Sequence, residues 1–255
     1  LFGIIQQGIQ ALASALGWGL ALPAPWLFAV GVALRGWRLV GGGFAPFSLL
    51  GLNLVLALGL WEPMVDTLAL VLAASLLALL LGFPLGVLGT RQRWIWRLIR
   101  PGLDLMQTMP AFVYLIPAVM LFSTGAVPAI IATLIFAMPP IVRLTHLGIR
   151  QVPADLVEAG RSFGCTDLQL LWMVQLQIAL PTVMSGVNQT IMLALSMVVI
   201  TSMIGGGGLG DVVLRGIQQL DVGLGFEGGI AVVILAVILD RLSQGLSPSH
   251  RRRGQ

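Results

Sequence analysis

The chain has 255 residues, of which 57% are hydrophobic and 9% charged, with a net charge of +4. Soluble domains carry about 25% charged residues, so the composition excludes an ordinary water-soluble fold and points to one membrane domain. All 14 basic residues are arginine, and without lysine there is no Walker A loop to hold nucleotide phosphates.

The pattern begins with a helix-period stripe over 4–22: Ile5, Ile9, Leu12, Leu16 and Leu20, with Gln6, Gln10 and Ser14 off it and Pro23 beyond. It has no basic n-region, which disfavours a signal peptide. Residues 1–23 are read as an interfacial helix, with a poorly inserted span as the alternative. Segments of about 20 apolar residues, the length that crosses a bilayer, follow near 24–41, 43–60, 63–89, 103–123, 126–148, 180–204 and 227–244. The predicted fold class is therefore all-α, a polytopic transmembrane bundle of about seven spans over 24–244. A hydrophilic loop at 149–177, a glycine-rich loop at 205–226 and a basic tail at 245–255 complete it.

Arginine sets the orientation. With RQRWIWRLIR (91–100) in the cytoplasm, 13 of the 14 arginines fall inside and only Arg215 outside. This predicts an external N-terminus, a cytoplasmic C-terminus ending in Arg251–Arg253, a cytoplasmic 149–177 and an external 205–226. The basic balance is thus a membrane topology signal rather than a nucleic-acid surface. Trp94, Trp96 and Trp172 read as inner-interface anchors and Trp61 as an outer one.

No enzyme chemistry is legible. Cys165 is the single cysteine, so no intrachain disulfide forms. His146 and His250 lie far apart outside any H-E-x-x-H, and no G-x-S-x-G occurs. No catalytic residue and no metal site are expected.

The loop QVPADLVEAGRSFGCTDLQLLWMVQLQ carries the strongest local signals. Pro153 and Asp155 suit a helix start, Gly164 a C-terminal cap, and Thr166 or Asp167 a second start. Physically this is a short helix, a glycine turn and a second short helix, either a peg for a partner's groove or an ordinary amphipathic loop. The stretch resembles the EAA loop of ABC importer permeases, E-A-A-x3-G-x9-I-x-L-P. Glu158, Ala159, Gly160 and Gly164 stand at the motif spacing, with Val174 and Leu176 at the Ile and Leu positions. Gly160 replaces the third Ala, and Gln177 the Pro. The resemblance implies that Asp155, Glu158, Ala159, Gly160, Arg161 and Gly164 belong to the surface that couples to a separate ATPase.

The stretches LDLMQTMPAFVYLIPAVMLF, FAMPPIVRLTHLGIRQVPADLVEAGRSFG and SGVNQTIMLALSMVVITSMIGGGGLGDVVLRGI are similar to the membrane subunit of glycine betaine/proline betaine osmoprotectant importers, over roughly 60–244. That resemblance implies a type I, MetI-like permease in the bacterial inner membrane. Its partners would be a second copy of itself, two cytoplasmic ATPases holding ATP and Mg2+, an external binding protein and surrounding lipid, with no cofactor on this chain. Choline, carnitine or another small amine is the alternative substrate, and a secondary transporter the distant alternative.

Within the spans, Ser185, Asn188, Gln189, Met192 and Ser196 share a broad helix face. Gln107, Thr108 and Tyr114 lie in the 103–123 segment. Buried polar groups in a bilayer line a path or bond neighbouring helices, and both readings stand for Asn188 and Gln189. No acidic cluster occupies the middle of a span, which disfavours ion-coupled transport. With one tyrosine, no aromatic cage for a quaternary ammonium is legible, so selectivity is expected from the external binding protein.

Overall fold

A computed structural model describes residues 2–246, and every described element is helical. In chain order these are α1 (Phe2–Ala21), α2 (Pro25–Leu39), α3 (Phe44–Ala57), α4 (Trp61–Arg91), α5 (Arg93–Thr108), α6 (Ala111–Phe122), α7 (Ala126–Ala137) and α8 (Pro139–Arg150). Then follow α9 (Ala154–Ser162), α10 (Asp167–Leu170), a π-helical stretch (Leu171–Gln175), α11 (Leu176–Ser196), α12 (Val198–Ser202), α13 (Gly208–Gln219) and α14 (Val222–Gly245). His250 and Arg251–Arg253 of the expected tail lie outside the described residues.

The bundle is built around α4 and α8. Both are rich in residues with no exposed surface: Met64, Val71, Ala73, Ala74 and Ala78 on α4, Ile141 and Val142 on α8. Little hydrophobic force separates apolar side chains from lipid, so membrane helices gain from close backbone approach through small residues. Gly82 and Gly86 supply it. A Cβ at Gly82 would stand 2.5 Å from Ile141 Cγ2, and one at Gly86 2.7 Å from Thr145 Cβ and 2.8 Å from the Val142 carbonyl. On the other flank of α8, Gly186 of α11 packs against Ile141 and Leu144.

A second core joins α3, α4, α11 and α14 through Leu52, Val55, Leu68, Leu195, Leu235 and Ile238. In α1, Ile9 of the predicted stripe is buried against Leu70, Phe122 and Ile130, with Leu12 and Leu16 beside it, whereas Ile5 is exposed.

Against the expected number of about seven spans, the helices divide as follows. Four helical stretches are long and apolar enough to cross a membrane: 61–91, 126–150, 167–196 and 222–245. Two further pairs, α1 with α2 and α5 with α6, are long and apolar enough only when taken together, and are bent by 92° and 104°. The predicted 103–123 span is therefore not one helix. Pro110 has no N–H and drives the residue before it out of the helical region, and Met109 is accordingly extended at φ −76°, ψ 138°.

α5 is amphipathic. Arg93, Arg97, Arg100 and Asp104 recur along one face, whereas Trp94, Leu98 and Leu105 lie exposed on another. The expected glycine-rich loop 205–226 is mostly helix α13. Its buried Leu209 and Val212 pack into the second core, and its first turn is tied to α4 by Leu209 N–H donating to Thr67 Oγ1 at 2.7 Å. Asp221 then caps α14, its carboxylate accepting from Leu224 N–H at 3.1 Å.

Candidate functional site

The candidate residues fall at three places. The first is the helical pair after α8. Pro153 occupies the N-cap of α9 with Asp155 in the first turn, and the helix stops after Ser162. Gly164 then adopts φ +79°, a left-handed conformation that an L side chain resists. The Gly164 and Cys165 N–H groups donate back to Arg161 and Gly160 carbonyls at 2.9 and 3.1 Å, so the turn satisfies the helix end. Thr166 restarts the chain through a reciprocal capping box with Gln169.

Gly160 is buried, and a Cβ there would meet Leu170 Cδ1 at 2.6 Å. The glycine in place of the motif's third alanine is thus the seat for Leu170. Asp155, Glu158, Ala159 and Arg161 all remain exposed. So do Leu156, Phe163, Leu168 and Trp172, with Phe163 90% exposed. Trp172 reads from sequence as an interface anchor, whereas Leu156, Phe163 and Leu168 escaped that reading. Their helical spacing was visible, but only the fold shows that no neighbour covers them.

The second helix of the pair is not short, as expected, but continuous. α10 runs through the π-helical stretch into α11, so 167–196 is one helical stretch. π-helical insertions recur at functional sites. Arg91, at the end of α4, donates to the Asp167 carbonyl at 3.0 Å and ties the start of this rod to the bundle.

The second place is α11 itself. Ser185, Gln189 and Ser196 recur at helical spacing and are exposed, with Met192 between them half-buried. Ser185 and Ser196 hydroxyls donate to the Pro181 and Leu193 carbonyls of their own helix, at 3.1 and 2.7 Å.

Asn188 turns elsewhere. Its Nδ2 donates to Asp240 Oδ1 on α14 at 3.1 Å, and its Oδ1 accepts from Ser243. Gln244 Nε2 donates to the same Asp240 oxygen at 2.7 Å. Asn188 and Gln189 therefore part company: one amide joins two helices and the other faces outward. Asp240 was not singled out from sequence, because its position near the end of a span resembled a boundary charge.

The remaining candidates lie at the α5–α6 bend. Tyr114 is buried, and its hydroxyl donates to the Met106 carbonyl at 2.6 Å, satisfying a backbone group freed by the break. Gln107 and Thr108 are exposed on the last turn of α5. Asp104, on the same helix, pairs with Arg143 of α8 at 2.5 Å.

Residues 82–252 match the protein family described as binding-protein-dependent transport system inner membrane component. The chain is 55% identical, over 92% of its own length, to the glycine betaine/proline betaine transport system permease protein ProW of Escherichia coli K12. It spans 66% of that relative. It is 50% identical to the glycine betaine/carnitine transport permease protein GbuB of Listeria monocytogenes, over 96% of this chain and 89% of that one. Among solved structures, it resembles an inward-facing MetNI methionine ABC transporter chain with a TM-score of 0.63 and 25% identity, covering 76% of this chain and 94% of that one.

Proposed function

Because the chain belongs to the family of binding-protein-dependent transport system inner membrane components, we propose that it is the permease subunit of an ABC importer for glycine betaine and proline betaine. The substrate reading draws on ProW and GbuB, whose names carry glycine betaine, with proline betaine in the first and carnitine in the second. Carnitine is accordingly the second substrate to test.

The observation that carries the coupling mechanism is the fusion of α10 to α11. The exposed pair around Gly164 docks on a cytoplasmic ATPase through Glu158, Arg161, Phe163 and Trp172. When two ATPases close on ATP and Mg2+, force on α9 and α10 passes without a flexible joint into the span that carries Gln189. Motion of a rigid element between two packings is how such a displacement travels. Outward-facing Gln189 and Ser196 meet a second copy of the chain across a twofold axis, and the path runs along that seam. An amide left in hydrocarbon costs several kcal/mol, so an exposed Gln189 fits water in a path better than lipid.

The arginines that end α4 and α8 support a cytoplasmic loop 149–177 and an external N-terminus. An external binding protein delivers the solute. The test is ATP hydrolysis by the reconstituted complex. Binding protein loaded with glycine betaine should stimulate it more than empty binding protein, and equal rates would overturn the proposal.

A further inference from the structure

Where α4 and α8 end against the start of α5, a cavity of about 360 Å³ is lined by Thr90, Arg93, Trp96, Arg97, His146 and Arg150, with Gly89 at its wall. Three arginines thus line one space. No carboxylate lines it, and among the described residues none of the three arginines has an ion-pair partner. Like charges gathered this way repel unless an anion sits among them.

The wall is built rather than incidental. The Trp96 indole lies flat on the His146 imidazole, with ring centroids 3.6 Å apart and 6° between the planes. His146 is 7% exposed. The Thr90 hydroxyl lies 3.0 Å from the Gly86 carbonyl and 3.2 Å from His146 Nδ1, so it fixes that edge of the ring. His146 Nε2 is left without a protein partner among the described residues. The first turn of α5, with its unpaired N–H groups, adds partial positive charge on the same side.

We propose that this cavity binds the phosphate group of an acidic phospholipid. Guanidinium forks match phosphate oxygens in pairs. Depth argues for lipid as the source: the cavity lies at the ends of two spans, where headgroups are found. The neighbouring α5 residues Trp94 and Leu98 are 64% and 72% exposed, as on a helix lying in the interface. The bound headgroup bridges the ends of α4 and α8 to the first turns of α5.

The test is thermal unfolding of the full chain in detergent micelles, titrated separately with short-chain phosphatidylglycerol, short-chain phosphatidylcholine and inorganic phosphate. Phosphatidylglycerol should raise the midpoint saturably and phosphatidylcholine should not. Arg97→Gln with Arg150→Gln should raise the half-saturating phosphatidylglycerol concentration roughly tenfold or more. Arg100→Gln, which removes one charge from the same helix outside the cavity, should leave it unchanged.

Should the double variant fold poorly, Arg93→Gln, at the exposed helix start, is measured instead by counting phosphatidylglycerol retained per chain after purification, and it should retain less than wild type. An unresponsive wild type, equal weakening by Arg100→Gln, or wild-type retention in Arg93→Gln would overturn the site. Equal stabilisation by inorganic phosphate at the same concentration would overturn the lipid source.

Discussion

Asn188 on α11 and Asp240 on α14 are joined by a 3.1 Å hydrogen bond, and Ser243 donates to the same Asn188 side chain. The next residue, Gln189, faces away and is exposed. Two amides adjacent in sequence thus meet different surroundings, a neighbouring helix and the exposed surface of the chain. Asn188→Leu should lower the amount and the unfolding temperature of the assembled complex. It strips Asp240 of a donor, a loss of about 1–3 kcal/mol for a group left short of partners. Uptake normalised to assembled complex should stay near wild type.

Gln189→Leu should behave in the opposite way. Among the described residues Gln189 has no hydrogen-bond partner to lose, so assembly and unfolding temperature should be preserved while normalised uptake falls. Equal normalised uptake in Gln189→Leu and wild type would take this residue out of the path.

At Gly164, the φ of +79° makes a β-branched side chain costly, about 1–3 kcal/mol by the usual range for strained backbone. Gly164→Val should leave the chain inserted but weaken its co-purification with the ATPase, and adding Glu158→Lys should deepen the loss. Gly164→Asn, a residue that tolerates this conformation, should retain most of the association.

The contact of α4 with α8 should not accept added bulk. A Cβ at Gly86 meets the Val142 backbone carbonyl at 2.8 Å, an obstacle that no rotamer change relieves. Gly86→Val should reduce stability by at least the roughly 1–3 kcal/mol typical of overpacking. Gly102, with open space at its Cβ position, should accept alanine.

Orientation is checked by cysteine labelling. Cys165 is partly exposed in the turn of the helical pair and should react with an impermeant maleimide only in inverted vesicles. In a background with Cys165 replaced by Ser, Arg215→Cys should react in intact cells. Labelling of Cys165 from outside would reverse the topology.

What was legible in the sequence was what local chemistry specifies. Pro153, Gly164 and Thr166 mark helix boundaries by their own backbone preferences and capping groups, and the structure uses all three at such boundaries. Hydropathy located apolar segments but not their continuity. Pro110 splits one predicted span, whereas the run from Asp167 to Ser196 crosses a supposed loop boundary unbroken. Glycine-rich 205–226 suggested a loop, because the partners of Leu209 and Val212 are distant in sequence. The same limit hid Asp240 and left Asn188 and Gln189 on one broad face. They sit about 100° apart on the helix, and only packing decides which neighbour each one meets.

The central claim is that ATP bound by a partner drives import through this chain by way of the helical pair around Gly164. Proteoliposomes holding the chain and its ATPase, with ATP enclosed on the ATPase side, test it through uptake of labelled glycine betaine delivered by the binding protein. Uptake should require both ATP and binding protein, and should collapse in the Glu158→Lys, Gly164→Val double variant while the inserted protein remains. Uptake that persists without ATP, or wild-type uptake in the double variant, would contradict it.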